Sequence, residues 1–295
     1  MITTSDAFAK FKGRLELTDR EQDDASRRQT DIREYLREEF EIDHDFLTGS
    51  YARWTKTKPL KDVDIFFVLG EKEAKYRDKE PSALLDKFRS VLGKRYGKSS
   101  VSPGRRSVQV DFGVESVDDA TDDQVMSVDV VPAFAVNSHY EIPDSVSGKW
   151  IATDPEIHAE LATKANKAFS EEWKPLVKMI KKWNQTNDKP VRPSFLLEVM
   201  ALDILIAPFS GGYPYELKSF FSTAADKIGE TWPDPAELGP PVSDQMDSAM
   251  VRKAVAAFRK AEETVSRAIQ MEKAGRQGDA LRTWRDLFGP LFPLS

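Results

Sequence analysis

Two aspartates, Asp62 and Asp64, open the apolar run Asp62-Val63-Asp64-Ile65-Phe66-Phe67-Val68-Leu69. Side chains of an extended strand alternate between its faces, so both carboxylates leave the same side. Like charges at the head of an apolar strand repel unless something neutralises them. Carboxylate oxygens suit a hard cation such as Mg2+, and two such ions stabilise the attacking and leaving oxygens of a phosphoryl transfer. The pair alone fits a solvated strand entrance equally well. Gly49-Ser50 precedes it, with the eleven residues Tyr51 to Lys61 between. A glycine at that point lets backbone approach a phosphate closely. The N–H groups of such a turn can form an anion nest, and the serine hydroxyl adds a donor.

A two-metal site wants a third carboxylate. Asp129, in Val128-Asp129-Val130-Val131-Pro132, and Asp111, in Val110-Asp111-Phe112, both sit inside alternating strands. Apolar neighbours on both sides make an unpaired charge at either position expensive. Local sequence leaves the two open. Asp118, Asp119, Asp122 and Asp123 read as a solvated loop.

The elements that position these groups are legible in outline. Residues 5–40 are helical, with Phe8, Phe11 and Leu15 at one end and Ile32, Tyr35, Leu36 and Phe40 at the other. The charged middle, Asp19 to Arg28, is either a break or the exposed midsection of one helix. Asp45 to Leu47 leads into Gly49-Ser50. Asp62 to Leu69, Ser107 to Val114 and Val125 to Phe134 read as strands, the last ended by Pro132, and Leu84 to Tyr96 as a helix. Pro155 to Asn184 and Pro193 to Ile206 read as helices, with Pro193 in a first turn. Residues 231–243 hold four prolines and form an irregular connection. A helical stripe follows at Met250, Ala254, Phe258, Ala261, Val265, Ala268 and Ile269, and Trp284, Leu287 and Phe288 close the chain. No internal repeat is evident. The expected organisation is an α+β part, 1–145, and a helical part, 146–295, with a ligand cleft between them.

Composition narrows the class. The chain has 295 residues, of which 40% are hydrophobic and 10% aromatic, enough for a large core. No run of ~18 apolar residues predicts a membrane span, and the N-terminal residues lack a signal pattern. The absence of cysteine excludes disulfides, thiolate metal sites and a cysteine nucleophile. His44, His139 and His158 have no metal-ligand spacing. The expected location is the cytoplasm. A net charge of −6 argues against stable binding of duplex nucleic acid through its phosphates. Charge is distributed in blocks: seven cations and no acid from Lys87 to Arg106, then nine acids and no Lys or Arg from Ser107 to Gly148. Such blocks fit solvated faces, or a basic wall beside an acidic, metal-binding floor.

The pattern Gly-Ser-x11-Asp-Val-Asp resembles the nucleotidyltransferase superfamily of DNA polymerase beta. Three longer segments, GSYARWTKTKPLKDVDIFFVL, SVDVVPAF and KKWNQTNDKPVRPSFLLEVMALDIL, are similar to the bacterial CD-NTases, as are Gly278-Asp279-Ala280 and TWRDLFGPLFP near the C-terminus. These cGAS/DncV-like enzymes make cyclic oligonucleotide signals in antiphage (CBASS) defence. The likeness runs from about residue 5 to the C-terminus.

The resemblance implies an α+β fold: a polymerase-beta-like core of mixed sheet and helices, a C-terminal helical lobe and an active site in the cleft between them. It selects Asp129 over Asp111 as the third catalytic and metal-binding aspartate beside Asp62 and Asp64. It implies nucleotide contacts from Gly49 and Ser50, from Lys181 to the donor triphosphate with Lys178 as the alternative, from Ser194 to phosphates or base, and from Phe195 stacking on the donor base. On local grounds Lys181 fits a solvent-facing position and Phe195 a core position just as well. Two Mg2+ ions, with Mn2+ able to substitute, and NTP substrates including ATP are implied. Family members are often encoded beside an effector, and some beside HORMA-type or ubiquitin-transfer-like partners. The expected reaction joins NTPs into a cyclic di- or trinucleotide with release of pyrophosphate. The alternatives are nucleotide addition to RNA or protein on the same core, and an inactive nucleotide-binding module.

Overall fold

The computed structural model describes residues 2–114 and 126–295. Val125 and the acids Asp118, Asp119, Asp122 and Asp123 lie outside the described residues. The N-terminal helical region is two helices. Thr3 caps α1 (Thr4–Arg14): the Asp6 N–H donates to Thr3 Oγ1 at 3.1 Å, and the Asp6 carboxylate accepts from the Thr3 N–H at 3.3 Å. Thr18 and Glu21 repeat this reciprocal box at the start of α2 (Asp19–Glu39). A capping box satisfies donors that a helix leaves orphaned and so marks a beginning. The charged stretch is therefore the first part of α2, and its acids Glu21 and Asp24 are buried.

The sheet begins with β1 (Ile42–Thr48), which turns through the single helical turn α3 (Gly49–Ala52), and continues with β2 (Asp62–Leu69). Helix α4 (Pro81–Tyr96) leads to β3 (Val101–Pro103), β4 (Val108–Asp111) and β5 (Ser127–Val136). The strand order is β1-β2-β5-β4-β3, with β2 and β5 parallel and the other pairs antiparallel. The hairpin of β6 (His139–Asp144) and β7 (Lys149–Thr153) extends from the end of β5. Pro132 does not end β5. It lies opposite Phe67 of β2, beyond the last β4 partner at Val130 and before the first β6 partner at Phe134, so its missing N–H falls on a locally open side.

Alternation along β2 divides the two faces. Val63, Ile65, Phe67 and Leu69 pack under α2 and α4 with Ile32, Leu36, Leu84 and Phe88. Phe66 and Val68 pack on the other face with Ala133 and Ile142. Asp62 and Asp64 share the parity of Phe66 and Val68, and Asp129 shares that of Ala133. The three acids therefore leave the sheet on the side away from α2 and α4.

That side faces the helical part: α5 (Pro155–Ala168), α6 (Trp173–Thr186), α7 (Phe195–Ile204), α8 (Tyr213–Lys227), α9 (Ser248–Lys273) and α10 (Gln277–Phe288). The α9 stripe is buried from Ala254 to Ile269, whereas Met250 at its start is exposed. Trp183 of α6 stacks on Phe258 of α9 with ring centroids 5.0 Å apart. Helix α1 packs here too: Phe8 meets Trp284 edge-on at 4.9 Å, and Phe11 lies against Phe288. The first helix thus seals the core of the last ones, while α2 seals the sheet. Among the described residues no helix is long and apolar enough to cross a membrane.

Candidate active site

Asp64 and Asp129 are register partners on the parallel strands β2 and β5. Asp111, at the end of β4, lies opposite Ser127 and accepts the Gly113 N–H at 2.8 Å. Adjacency on neighbouring strands, which local sequence does not display, joins Asp129 to the Asp-x-Asp pair. Burial, with repulsion from Asp62, raises Asp64 to about 6. Burial, with repulsion from Asp64 and Asp62, raises Asp129 to about 7, against which its carboxylate accepts a long hydrogen bond from Ser107 Oγ at 3.4 Å. Asp62 behaves oppositely: the ammonium of Lys56 forms an ion pair with it and holds its carboxyl below the usual range.

Gly49 closes over this row at φ +65, and a Cβ placed on it would lie 1.8 Å from Asp64 Oδ2. Glycine is required there on both counts. Ser50 follows, and the two residues open onto different clefts. One, of about 340 Å3, takes Gly49, Arg53, Asp64, Ser107, His158 and Phe195 among its walls. The other, of about 470 Å3, takes Ser50, Lys56, Asp62, Lys181, Arg192 and Ser194. Both volumes lie in the usual range for small-molecule sites. Asp64 lines one and Asp62 the other, Pro193 and Gln245 line both, and each is walled by residues of the sheet part and of the helical part.

Eight of the nine candidate residues therefore meet in one region: seven line the clefts, and Asp129 stands beside Asp64. Lys178 does not. Its Nζ pairs with Glu16 at 2.6 Å in a small separate pocket with Tyr51 and Trp54. Helix α7 starts at Phe195 rather than in a turn holding Pro193, so Pro193 and Ser194 lie in the cleft wall ahead of it. Phe195 is half-buried, packs against the helical core and carries the Arg53 guanidinium 4.5 Å over its ring. His158 contacts the same ring at 5.0 Å, and its Nε2 is paired with Asp234 at 2.6 Å.

The cation block divides between the two readings of it. Arg89, Lys94 and Lys98 line an exposed pocket on α4 and the turn after it, away from the acids. Arg106 reaches the cleft wall, and both Arg105 and Arg106 pair with the fully buried Asp144.

Sequence reasoning passed over Arg53 and Glu198. Glu198, 2% exposed, accepts from Arg53 Nε and Nη2 at 3.0 Å each, from Lys181 Nζ at 2.8 Å and from Thr55 Oγ1 at 2.8 Å. Burial opposes its charge, yet Arg53 and Lys181 hold its carboxyl down at about 2. Two signals were present: four cations among the eleven residues before Asp62, and a lone acid in the apolar run Phe195-Leu196-Leu197-Glu198-Val199.

The donor chemistry fits a divalent cation. Asp64 and Asp129 are hard oxygen donors whose charges repel each other, and among the described residues neither forms an ion pair. In the present geometry no group of three His, Asp or Glu among the described residues is gathered to hold an ion, and Asp62 is turned onto Lys56. Binding by all three acids therefore requires Asp62 to exchange its lysine for the ion.

Residues 1–166, more than half of the chain, match the model of the Second Messenger Oligonucleotide or Dinucleotide Synthetase domain. A protein of Bacillus cereus (strain VD146), named probable cyclic nucleotide synthase, is 28% identical over 275 residues, covering 83% of this chain and 81% of that one. A cyclic AMP-AMP-AMP synthase of Acinetobacter sp. is 28% identical over 318 residues, covering 100% of this chain and 87% of that one. Among solved structures, E. coli MS115-1 CdnC with ATP superposes with a TM-score of 0.73 at 20% identity, covering 99% of both chains. Its complex with HORMA-deltaN gives 0.72 at 22% identity, covering 98% of both. These structures share the fold of this chain.

Proposed function

The chain belongs to the Second Messenger Oligonucleotide or Dinucleotide Synthetase family, and on that premise we propose that it joins NTPs, ATP among them, into a cyclic oligonucleotide of bacterial antiphage signalling. The observation that carries this reading is the registered pair Asp64–Asp129, covered by Gly49 and flanked by two clefts. The adjoining clefts along the acid row give room for two nucleotides, one supplying the attacking hydroxyl and one the phosphorus.

Asp62, Asp64 and Asp129 would hold Mg2+, two ions in this reading with Mn2+ able to substitute, and the bound cations would ease ionisation of the ribose hydroxyl and neutralise the leaving pyrophosphate. The cleft of Ser50 and Lys181 holds the triphosphate: the serine hydroxyl donates, and the ammonium supplies a point charge. Phe195 offers an aromatic surface to the donor base, which in this reading extends from the Lys181 cleft into the adjoining one. In this reading Asp129 also helps to accept the proton of the attacking hydroxyl.

The ATP assignment draws support from the CdnC structure with ATP and from the cyclic AMP-AMP-AMP synthase. The reading includes a HORMA-type partner, as in the CdnC complex, or a ubiquitin-transfer-like one, and a downstream effector reached through the product. Incubation with ATP and Mg2+, with no polymer present, tests the reaction. Pyrophosphate release with a nuclease-sensitive, phosphatase-resistant small product is expected. Absence of pyrophosphate release from any NTP or NTP mixture would refute it.

A further inference from the structure

The carboxylate of Glu198 is shared between the two clefts. Its Oε1 accepts from Lys181, in the Asp62 cleft, and from Arg53 Nη2, in the Asp64 cleft. Its Oε2 accepts from Arg53 Nε and from Thr55. Arg53 and Thr55 follow α3 on the sheet side, whereas Lys181 and Glu198 come from α6 and α7. All four side chains are buried. A carboxylate with two cations and a hydroxyl has its lone pairs filled, and removing it leaves two charges buried without a counter-ion.

We propose that Glu198 is the positioning residue of the nucleotide site: it holds Lys181 toward one cleft and Arg53, with the Phe195 ring beneath it, toward the other, and so fixes the two clefts relative to each other. The inference rests on the proposed triphosphate role of Lys181. Its physical content is an internal anion that neutralises both cations before substrate arrives. A polyphosphate entering the Lys181 cleft adds charge to a cation already aimed, instead of recruiting a mobile one.

The test is Glu198→Gln, which keeps the shape and removes the charge. Three results are expected. First, the variant melts below wild type. Second, inorganic tripolyphosphate raises its melting temperature more than it raises that of wild type, because the added anion supplies the missing counter-charge. Third, kcat for pyrophosphate release falls about tenfold or more while KM for ATP does not rise in step, as misplacement of reacting groups rather than lost affinity predicts. In Lys181→Met/Glu198→Gln one stranded cation is gone, so this variant melts above Glu198→Gln alone, a comparison that holds even if the single variant is poorly folded.

Wild-type kcat and KM in Glu198→Gln would overturn the proposal. So would equal stabilisation of both proteins by tripolyphosphate, or a double variant no more stable than the single one. The melting comparisons need no turnover. Failure to release pyrophosphate from any NTP would sink the proposed reaction and leave these outcomes to judge Glu198.

Discussion

Asp64 fills the space that a side chain on Gly49 would need: a Cβ there would fall 1.8 Å from Asp64 Oδ2. The backbone is in the left-handed region at φ +65, which L side chains rarely adopt. The Gly-Ser turn and the Asp-x-Asp pair are therefore one device, a backbone pressed against a carboxylate. Gly49→Ala is expected to displace Asp64 or open the turn, lowering kcat by ~100-fold or more. Steady-state pyrophosphate release checks this, and a fully active Gly49→Ala would show that the close approach has no role in turnover.

Asp129 and Asp111 have similar sequence surroundings and different structural ones. Asp129→Ala is expected to reduce turnover by orders of magnitude, whereas Asp111→Ala stays near wild type, since Asp111 lies opposite Ser127 and not Asp64. Side-by-side rates decide. Equal loss, or the greater loss at Asp111, would contradict the assignment.

The raised acids make the metal-free protein sensitive to pH. Asp64 is raised to about 6 and Asp129 to about 7, above the ordinary carboxylate range, so the folded state holds more protons than the unfolded chain in that window. Their contribution to stability is present at low pH and fades as pH climbs from about 4 through 7. With a chelator at pH 8, Asp129→Asn should melt a few degrees above wild type, the gap closing toward pH 4. A thermal melt series across pH reads this. A gap that stays constant or widens on acidification would contradict the repulsion.

Lys181 and Phe195 should fail in different ways. Lys181→Ala is expected to raise KM similarly for every accepted NTP, because all carry the same triphosphate. Phe195→Ala removes a stacking face worth about 1–3 kcal/mol per base, so its losses should differ among bases. KM for each accepted NTP, alongside melts, separates them. If Lys181→Ala changed only the melting temperature, its role would be structural; an unfolded Phe195→Ala would return that ring to the core.

What the sequence displays is what neighbours along the chain decide. The parity of Asp62 and Asp64 on β2 and the strand Asp62–Leu69 follow from a few adjacent residues. The split of the first helical region was written in Thr18 and Glu21, a capping box that periodicity of large apolar residues does not register. What a residue packs against is a different matter. Phe8 and Phe11 define the apolar face of α1 but not that it covers α10. Glu198 and Arg53 are 145 positions apart, and no local pattern pairs them. The third aspartate needed the register of β5 on β2, which resemblance supplied and composition did not.

The Asp64–Asp129 pair is expected to drive formation of a small cyclic product. The direct measurement is mass spectrometry after incubating wild type and Asp62→Asn/Asp64→Asn with Mg2+ and each labelled NTP, alone and in all mixtures. A cyclic oligonucleotide from wild type, and none from the variant although its melt shows it folded, is the predicted result. Comparable product from the variant would show that the acids do not drive the reaction, and label found only on added RNA or on protein would show that the product is not cyclic.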